Sequence, residues 1–209
     1  MKTREAYKHW SSTYDEDRNL TRDLDQTVTR NTLANLRCKS VLEIGCGTGK
    51  NTALLAEIGE KVYAFDFSEP MIEKARQKLR AGNVSFVVTD LGQRWPCKAR
   101  AVDLISCNLV LEHIRDLPFI FAEAHRALEK KGVLFISELH PFRQYQGTKA
   151  RFERDQQTTR IEAFVHHLFD FTGAAADAGF SLSSMKEWWH EEDRDKPPRL
   201  VSFMFEKQG

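Results

Sequence analysis

The sequence has few of the residues that build disulfide frameworks or metal sites. Its four cysteines, at positions 38, 46, 97 and 107, form no C-x-x-C pair and have no histidine at the spacing of a zinc site. This distribution argues against disulfides and zinc. We expect reduced thiols and no bound metal in a cytoplasmic protein.

A charge excess of one sign is also lacking. The 31 lysines and arginines nearly balance the 30 aspartates and glutamates, and the formal net charge is +1. Proteins that bind nucleic acid usually show a basic excess or a basic stripe. The composition therefore predicts no nucleic-acid partner.

Long apolar runs are absent as well. The opening stretch MKTREAYKHWSSTYDEDRNL carries no apolar run typical of a secretion signal, and no later run reaches the ~20 residues needed to cross a bilayer. With 209 residues the chain has room for one domain with a sizeable core. We therefore expect a single domain without a membrane partner.

Between residues 40 and 140, short strand-like runs alternate with helical stretches. The runs SVLEIG, KVYAFD, VSFVVTD, AVDLISCN and GVLFISEL have the composition of buried strands. Leu20, Leu24 and Val28 mark the buried stripe of an earlier helix. Later helices are predicted over 50–58, 69–81 and 116–130. This alternation predicts βαβ crossovers and hence a Rossmann-like, doubly wound α/β fold with helices on both faces of a mostly parallel sheet.

The alternation ends after residue 140. The segment 140–158 is polar, bears aromatic residues and is long for a plain loop, which is typical of a lid or binding element. A helix is predicted near 170–178, followed by the strands SLSSMKEWW and RLVSFMFEK, with HEEDRDKPP between them as an exposed turn. Because no crossover helix separates these strands, we expect an antiparallel hairpin that brings the sheet to seven strands.

Three glycines at every second position follow the first predicted strand. In VLEIGCGTGK, Gly45, Gly47 and Gly49 let the backbone approach a ligand closely because they carry no side chain. The dinucleotide fingerprint G-x-G-x-x-G fails because its sixth position is Lys50. The nucleoside-triphosphate loop fails because the glycine spacing is wrong and Asn51 follows the lysine. Neither phosphate-binding pattern fits this loop, although it lies where open parallel sheets bind ligands.

The pattern that fits is E-x-G-x-G-x-G, present as EIGCGTG. Here the sequence resembles the class I S-adenosylmethionine-dependent methyltransferases, in particular the small-molecule enzymes related to ubiquinone and menaquinone methyltransferases. VYAFDFSEPMIEKAR, VVTDLG, DLISCNLVLEHI and ALEKKGVLFISE match later segments of that family in order, and YKHWSSTYD resembles its amino-terminal cap. The resemblance implies methyl transfer from S-adenosylmethionine, a nucleoside joined to an amino acid through a positively charged sulfonium.

The resemblance also implies which residues bind this cofactor. Asp66 would accept hydrogen bonds from both ribose hydroxyls, and Phe67 and Met71 would pack on the adenine. Asp90 would bind the adenine amino group. The complete set of expected cofactor residues is Tyr14, Glu43, Gly45, Cys46, Gly47, Thr48, Gly49, Asp66, Phe67, Met71, Asp90, Leu91, Asn108, Leu109, Val110 and His113.

The methyl acceptor is expected to be a small organic molecule. CNLVLEH lacks the prolines of amino-methylating nucleic-acid enzymes, and no acidic cluster resembles the metal site of catechol enzymes. We favour oxygen or nitrogen as the acceptor atom. Two alternatives stay open: a quinone-type carbon methyltransferase, and a protein that binds the cofactor without transferring its methyl group, as a sensor or partner subunit.

Candidate residues for the acceptor side lie mainly in the carboxyl-terminal third. A general base is needed only when the acceptor must lose a proton, and the candidates are His140, His166 and His167. The expected wall of an apolar acceptor cavity is Trp10, Phe142 and Tyr145.

These assignments divide the single domain 1–209 into four parts. Residues 1–38 are expected to form a helical cap, 39–139 the cofactor-binding core, 140–158 a lid and 159–209 the substrate-side part. The cap and the lid are expected to move as a cover that excludes water from the reaction. The expected assembly is a monomer or a homodimer.

Overall fold

The computed structural model describes residues 14–148, 151–154, 157–161, 163–193 and 195–209, and within 151–160 it describes the backbone alone. The helices are α1 (Leu20–Leu33), α2 (Thr52–Ile58), α3 (Glu69–Lys78), α4 (Leu117–Ala127), α5 (Pro141–Tyr145) and α6 (Leu168–Asp177). The strands are β1 (Cys38–Ile44), β2 (Gly59–Asp66), β3 (Val84–Val88), β4 (Val102–Asn108), β5 (Leu128–Leu139), β6 (Arg151–Arg154), β7 (Gln157–Arg160), β8 (Phe180–Trp188) and β9 (Leu200–Lys207). Short 3-10 turns cover Leu111–His113 and Glu191–Asp193.

Strands β1 to β5, β8 and β9 form one seven-stranded sheet in the order β3-β2-β1-β4-β5-β9-β8. The pairs among β1 to β5 are parallel, whereas β9 is antiparallel to both β5 and β8. The predicted mostly parallel sheet with an antiparallel carboxyl-terminal hairpin is therefore confirmed. Because the chain reverses its direction of winding between β1 and β4, the carboxyl ends of these neighbours border the crevice where such sheets bind ligands.

The central strands are buried on both faces because helices cover each side of the sheet. Side chains alternate between the faces along each strand. Val41 and Leu104 pack in one layer with Val28 of α1, whereas Leu42 packs in the other layer with Phe121 of α4. Two cores thus fix the carboxyl ends of the strands relative to one another.

Two helices end earlier than their predicted ranges. Helix α3 ends at Lys78 and α4 ends at Ala127. Strand β5 already begins at Leu128, its register against β4 shifts after Val102, and Lys131 has a φ of 60°. Residues 128–130, which the sequence placed at the end of the predicted helix, belong instead to the irregular start of β5.

The charged stretch between β8 and β9 is not wholly an exposed turn, contrary to the expectation. Asp193 is fully buried there, and its carboxylate accepts two hydrogen bonds from Arg199 (2.5 and 2.7 Å) and pairs with Arg143 of α5 (2.9 Å). Burial alone would raise the pKa of Asp193, but the hydrogen bonds from the two arginines outweigh it and bring the pKa to about 2.

This ion cluster anchors the start of the predicted lid. His140, Arg143 and Gln144 are buried, so residues 140–145 pack against the rest of the domain. Strands β6 and β7 pair antiparallel in a separate two-stranded sheet. No helix in the part of the chain that the structure describes is long and apolar enough to cross a bilayer.

Candidate functional site

The loop after β1 uses its three glycines for different purposes. All three have positive φ angles, of 78° at Gly45, 52° at Gly47 and 82° at Gly49. A Cβ at Gly45 would lie 2.1 Å from Cγ2 of Val110, and one at Gly49 would lie 2.9 Å from Cδ1 of Leu79. A Cβ at Gly47 would meet no atom of the described residues within 4 Å. Gly45 and Gly49 therefore allow close packing of the protein on itself, and Gly47 faces open space.

That open space is a cavity of about 250 Å³ at the carboxyl ends of β1 to β4. Every cofactor residue expected from the sequence lines it except Gly49, which packs against α3 instead. The lining residues are Tyr14, Arg22, Asp25, Glu43, Gly45, Cys46, Gly47, Thr48, Lys50, Asn51, Asp66, Phe67, Met71, Asp90, Leu91, Gly92, Asn108, Leu109, Val110, His113 and Ile114.

Sequence reasoning missed the charged cavity residues of helix α1. Arg22 and Asp25 are three positions apart and therefore share one face of the helix. The stretch NLTRDLD does show Arg22 and Asp25 beside the apolar stripe of the helix. The stripe alone was enough to predict the helix, so these charged residues were not considered for the site. The other lining residues that were missed are Lys50, Asn51, Gly92 and Ile114.

Asp66 at the end of β2 connects this strand to the glycine loop. One carboxylate oxygen accepts a hydrogen bond from the Gly47 amide (2.8 Å) and the other from the Ser68 amide (2.8 Å). Burial raises the pKa of Asp66, and these backbone hydrogen bonds oppose that effect. Each oxygen keeps further acceptor capacity, so the carboxylate can also receive hydroxyl groups of a ligand.

Ser68 occupies the N-cap position of α3, but its hydroxyl makes no cap hydrogen bond.

A second acidic cluster lies on the side of β1 and β4. Asp25 accepts hydrogen bonds from the side-chain amides of Asn51 and Asn108, both at 2.9 Å. Glu43 accepts a hydrogen bond from the Thr52 hydroxyl at 2.5 Å. Burial raises the pKa of Glu43 to about 8, with further contributions from the nearby Asp66 and Asp25 carboxylates. The cavity therefore concentrates buried acidic groups around its glycine loop.

The segment before α1 packs over this loop. The Thr48 hydroxyl donates a hydrogen bond to Asp15 (2.7 Å), and Lys78 of α3 pairs with the same carboxylate (2.7 Å). The Arg22 guanidinium lies 4.0 Å from the centre of the Tyr14 ring and donates a hydrogen bond to the Tyr14 carbonyl. Tyr14 is thereby held at the cavity wall.

The turn after β4 forms the remaining wall. The Val110 and Leu111 amides both donate hydrogen bonds of 2.8 Å to one oxygen of Glu138, which is buried at the end of β5. Burial raises the pKa of Glu138 to about 8. This contact fixes the 3-10 turn that is capped by Val110 and ends at His113, both of which line the cavity.

None of the three histidines expected to serve as a base lines this cavity. His140 is fully buried, where its Nδ1 accepts a hydrogen bond from the Phe142 amide and its Nε2 contacts Glu187 at 3.0 Å. His166 donates from Nε2 to the Ile114 carbonyl (2.7 Å), so it supports the cavity wall from behind. His167 is exposed and contacts the Tyr145 hydroxyl through Nδ1.

Two of the residues expected to wall an acceptor cavity, Phe142 and Tyr145, do not line this one. Phe142 and Tyr145 are 48% and 53% exposed on α5, with their ring centres 6.1 Å apart. Trp10 lies outside the described residues. Among the residues that the structure describes, no group of three or more histidine, cysteine or acidic side chains is arranged to hold a metal ion.

A comparison with known families identifies the segment that carries most of this cavity. Residues 42–136 match the family model described as a methyltransferase domain. An uncharacterised methyltransferase of Geobacillus sp. (strain WCH70) is 35% identical over 144 residues, which cover 68% of this chain and 64% of that protein. A malonyl-[acyl-carrier protein] O-methyltransferase of Xylella fastidiosa (strain M23) is 28% identical over 142 residues, which cover 66% of this chain and 48% of that protein. The chain spans between 48% and 64% of the length of the first curated relatives that it matches.

Solved structures support the same fold over nearly the whole chain. The complex of DhpI with SAH (S-adenosylhomocysteine) aligns with a TM-score of 0.77 at 22% identity and covers 99% of this chain and 95% of that one. At this identity the likeness shows the fold.

Proposed function

We propose that this chain, whose residues 42–136 match a methyltransferase domain, transfers a methyl group from S-adenosylmethionine to a small organic acceptor. The observation that carries the proposal is the single cavity wall formed by Gly47, Asp66, Asp90 and Asn108, which come from the ends of four adjacent strands. The acidic lining, from Asp25, Glu43, Asp66 and Asp90, suits a cationic nucleoside better than a phosphate ester.

The order of the strands suggests how the cofactor lies. The adenine would rest beside β3 and α3, against Met71 and Phe67, with Asp90 and Leu91 at its edge. Asp66 would receive the ribose hydroxyls, which its remaining acceptor capacity permits. The amino-acid end would cross the glycine loop towards β4, and Gly47 leaves the space that this passage requires.

Methyl transfer from a sulfonium is a displacement in which an acceptor lone pair forms the new carbon bond while the carbon–sulfur bond breaks. The electron pair of that bond stays on sulfur, and the neutral thioether S-adenosylhomocysteine leaves. The protein contributes by holding the acceptor atom about 3–3.5 Å from the methyl carbon and by excluding water. Val110, His113 and Ile114 lie on the wall where the acceptor would enter.

We favour an oxygen acceptor, and a carboxylate in particular. Several relatives are malonyl-[acyl-carrier protein] O-methyltransferases, a name that describes transfer to oxygen in those proteins. A carboxylate is already deprotonated at neutral pH and needs no general base. The absence of His140, His166 and His167 from the cavity wall agrees with such an acceptor. Transfer to nitrogen stays in the proposal as a second acceptor chemistry.

The proposal extends to the class of acceptor, the oligomeric state and the segments that cover the cavity. The near-neutral net charge of +1 supports a small-molecule acceptor rather than nucleic acid. A monomer or homodimer is proposed, with the segment before α1 and the segment 140–158 acting as a cover over the cavity.

Incubation of the protein with methyl-labelled S-adenosylmethionine and a panel of small carboxylic acids, alcohols, phenols, amines and quinones tests the function. Label in an oxygen or nitrogen product supports the proposal, and label on a quinone ring carbon supports the carbon-methylating alternative. Tight cofactor binding with no transfer to any acceptor would favour the sensor alternative. Nicotinamide dinucleotides should not bind.

A further inference from the structure

We propose that Asp25 and Asn51 form a subsite for the α-ammonium group at the amino-acid end of the cofactor. Helix α1, which lies outside the matched domain of residues 42–136, would thereby complete the site. The inference rests on the proposed function, because the ligand is the proposed cofactor. It assigns a role to two cavity residues that the glycine motif does not include.

Asp25 is a buried carboxylate that lines an open cavity. It is 3% exposed, and each of its oxygens accepts one hydrogen bond, from Asn108 and from Asn51. Burial raises the pKa of Asp25, whereas its hydrogen bonds and the charge of Lys50 lower it. A buried carboxylate is costly unless a positive group faces it directly, and a cationic ligand would supply such a group.

The cations nearest to this wall are already engaged. Lys50 pairs with the exposed Asp23 at 2.7 Å. Arg22 donates hydrogen bonds to the carbonyls of Tyr14 and Asp17. A ligand ammonium would therefore add a positive charge next to Asp25 without displacing either partner.

The side chain of Asn51 indicates independently that a ligand donates a hydrogen bond here. Its side-chain nitrogen donates to Asp25, while its Oδ1 is buried at the cavity wall and has no hydrogen-bond partner among the described residues. Buried polar atoms are normally satisfied by the protein, by water or by a ligand. An ammonium group carries three donors, so it can bond to Asp25 and to Asn51 Oδ1 together.

The strand order places this subsite at the correct end of the cofactor. Asp66 is the last residue of β2, and Asp25 is held by Asn108 at the end of β4. These strands are separated by β1, which corresponds to a distance of about 10 Å across the sheet. The ribose and the ammonium group lie on opposite sides of the sulfonium in the cofactor, so one molecule can reach both Asp66 and Asp25.

The test is a calorimetric titration of the full chain with three ligands. S-adenosylmethionine and S-adenosylhomocysteine both carry the ammonium, whereas 5′-methylthioadenosine lacks the whole amino-acid end. Asp25→Asn should weaken the first two by about 10- to 100-fold and leave methylthioadenosine within about twofold. Glu57→Gln is the matched control, because this exposed carboxylate pairs with Arg30 of α1 and neither residue lines the cavity; it should change all three affinities by less than about twofold. Thermal unfolding of each variant checks the fold.

The outcomes separate this inference from the function on which it rests. Equal losses for all three ligands would mean that Asp25 only maintains the fold of the site, and this result would overturn the assignment. A loss confined to S-adenosylmethionine would assign Asp25 to the sulfonium charge, and unchanged affinities would remove it from the site. If the unaltered protein binds none of the three ligands, the proposed function itself is wrong.

Discussion

We expect Gly45→Ala to reduce mainly the stability of the protein and Gly47→Ala to reduce mainly its affinity for the cofactor. Both residues have positive φ, which costs a residue with a side chain about 1–2 kcal/mol. At Gly45 the new Cβ would also lie 2.1 Å from Cγ2 of Val110, and such overpacking adds about 1–3 kcal/mol. We therefore expect Gly45→Ala to lose about 2–5 kcal/mol of unfolding free energy and Gly47→Ala about 1–2 kcal/mol.

The Gly47 methyl group would instead occupy the space through which the cofactor passes. We expect Gly47→Ala to lose more cofactor affinity than stability, since no atom of the described residues lies within 4 Å of its Cβ. Urea unfolding monitored by circular dichroism gives the stabilities, and calorimetry with S-adenosylhomocysteine gives the affinities. A Gly45→Ala protein as stable as the parent, or a Gly47→Ala protein that is the less stable of the two, would refute the reasoning from these contacts.

Four further predictions follow from the site and its anchors. Asp66→Ala should weaken cofactor binding in calorimetry, because each charge-assisted hydrogen bond contributes about 1.5–3 kcal/mol; an unchanged affinity would remove Asp66 from the site. Glu43 has its pKa raised to about 8, so the stability it contributes is present below its unfolded pKa near 4.5 and is lost as the pH rises towards 8. Glu43→Gln should therefore make the unfolding free energy fall less steeply over this window, and parallel curves would contradict that. Asp193→Asn should cost about 3–5 kcal/mol in thermal unfolding because it leaves buried arginines unpaired, whereas the exposed Glu192→Gln should have little effect. Cofactor should slow amide hydrogen exchange in 140–158, and equal exchange with and without it would count against a lid.

The order of the strands and the direction of the last hairpin could be predicted from the sequence, because the pattern of strands and helices is consistent along the chain. Strand-like runs separated by helices specify parallel crossovers, and the missing crossover before RLVSFMFEK specifies the antiparallel hairpin. The resemblance to the methyltransferase family, carried by the glycine pattern and the acids at strand ends, predicted most of the cavity wall. These residues come together because the carboxyl ends of parallel strands meet at one edge. Gly49 was the exception, because a glycine needed for helix packing looks the same in sequence as one needed for a ligand.

The acceptor side was not predictable in this way. His140 follows β5 at the correct edge of the sheet, but its ring serves as the N-cap of α5 and pairs with Glu187, a contact between residues 47 positions apart. His166 was recognised by type and position, yet it hydrogen-bonds the backbone of the turn after β4. Asp25 and Asn108 are 83 positions apart, and only the packing of α1 on the sheet brings them together. Long-range contacts of this kind have no local pattern.

A crystal structure of the protein with S-adenosylhomocysteine tests the central claim most directly. The account predicts the adenine beside Asp90, the ribose hydroxyls on Asp66 and the ammonium between Asp25 and Asn51. The sulfur should point towards Val110 and His113. A ligand bound elsewhere, or a ligand in this cavity with its amino-acid end beside β3, would contradict the account.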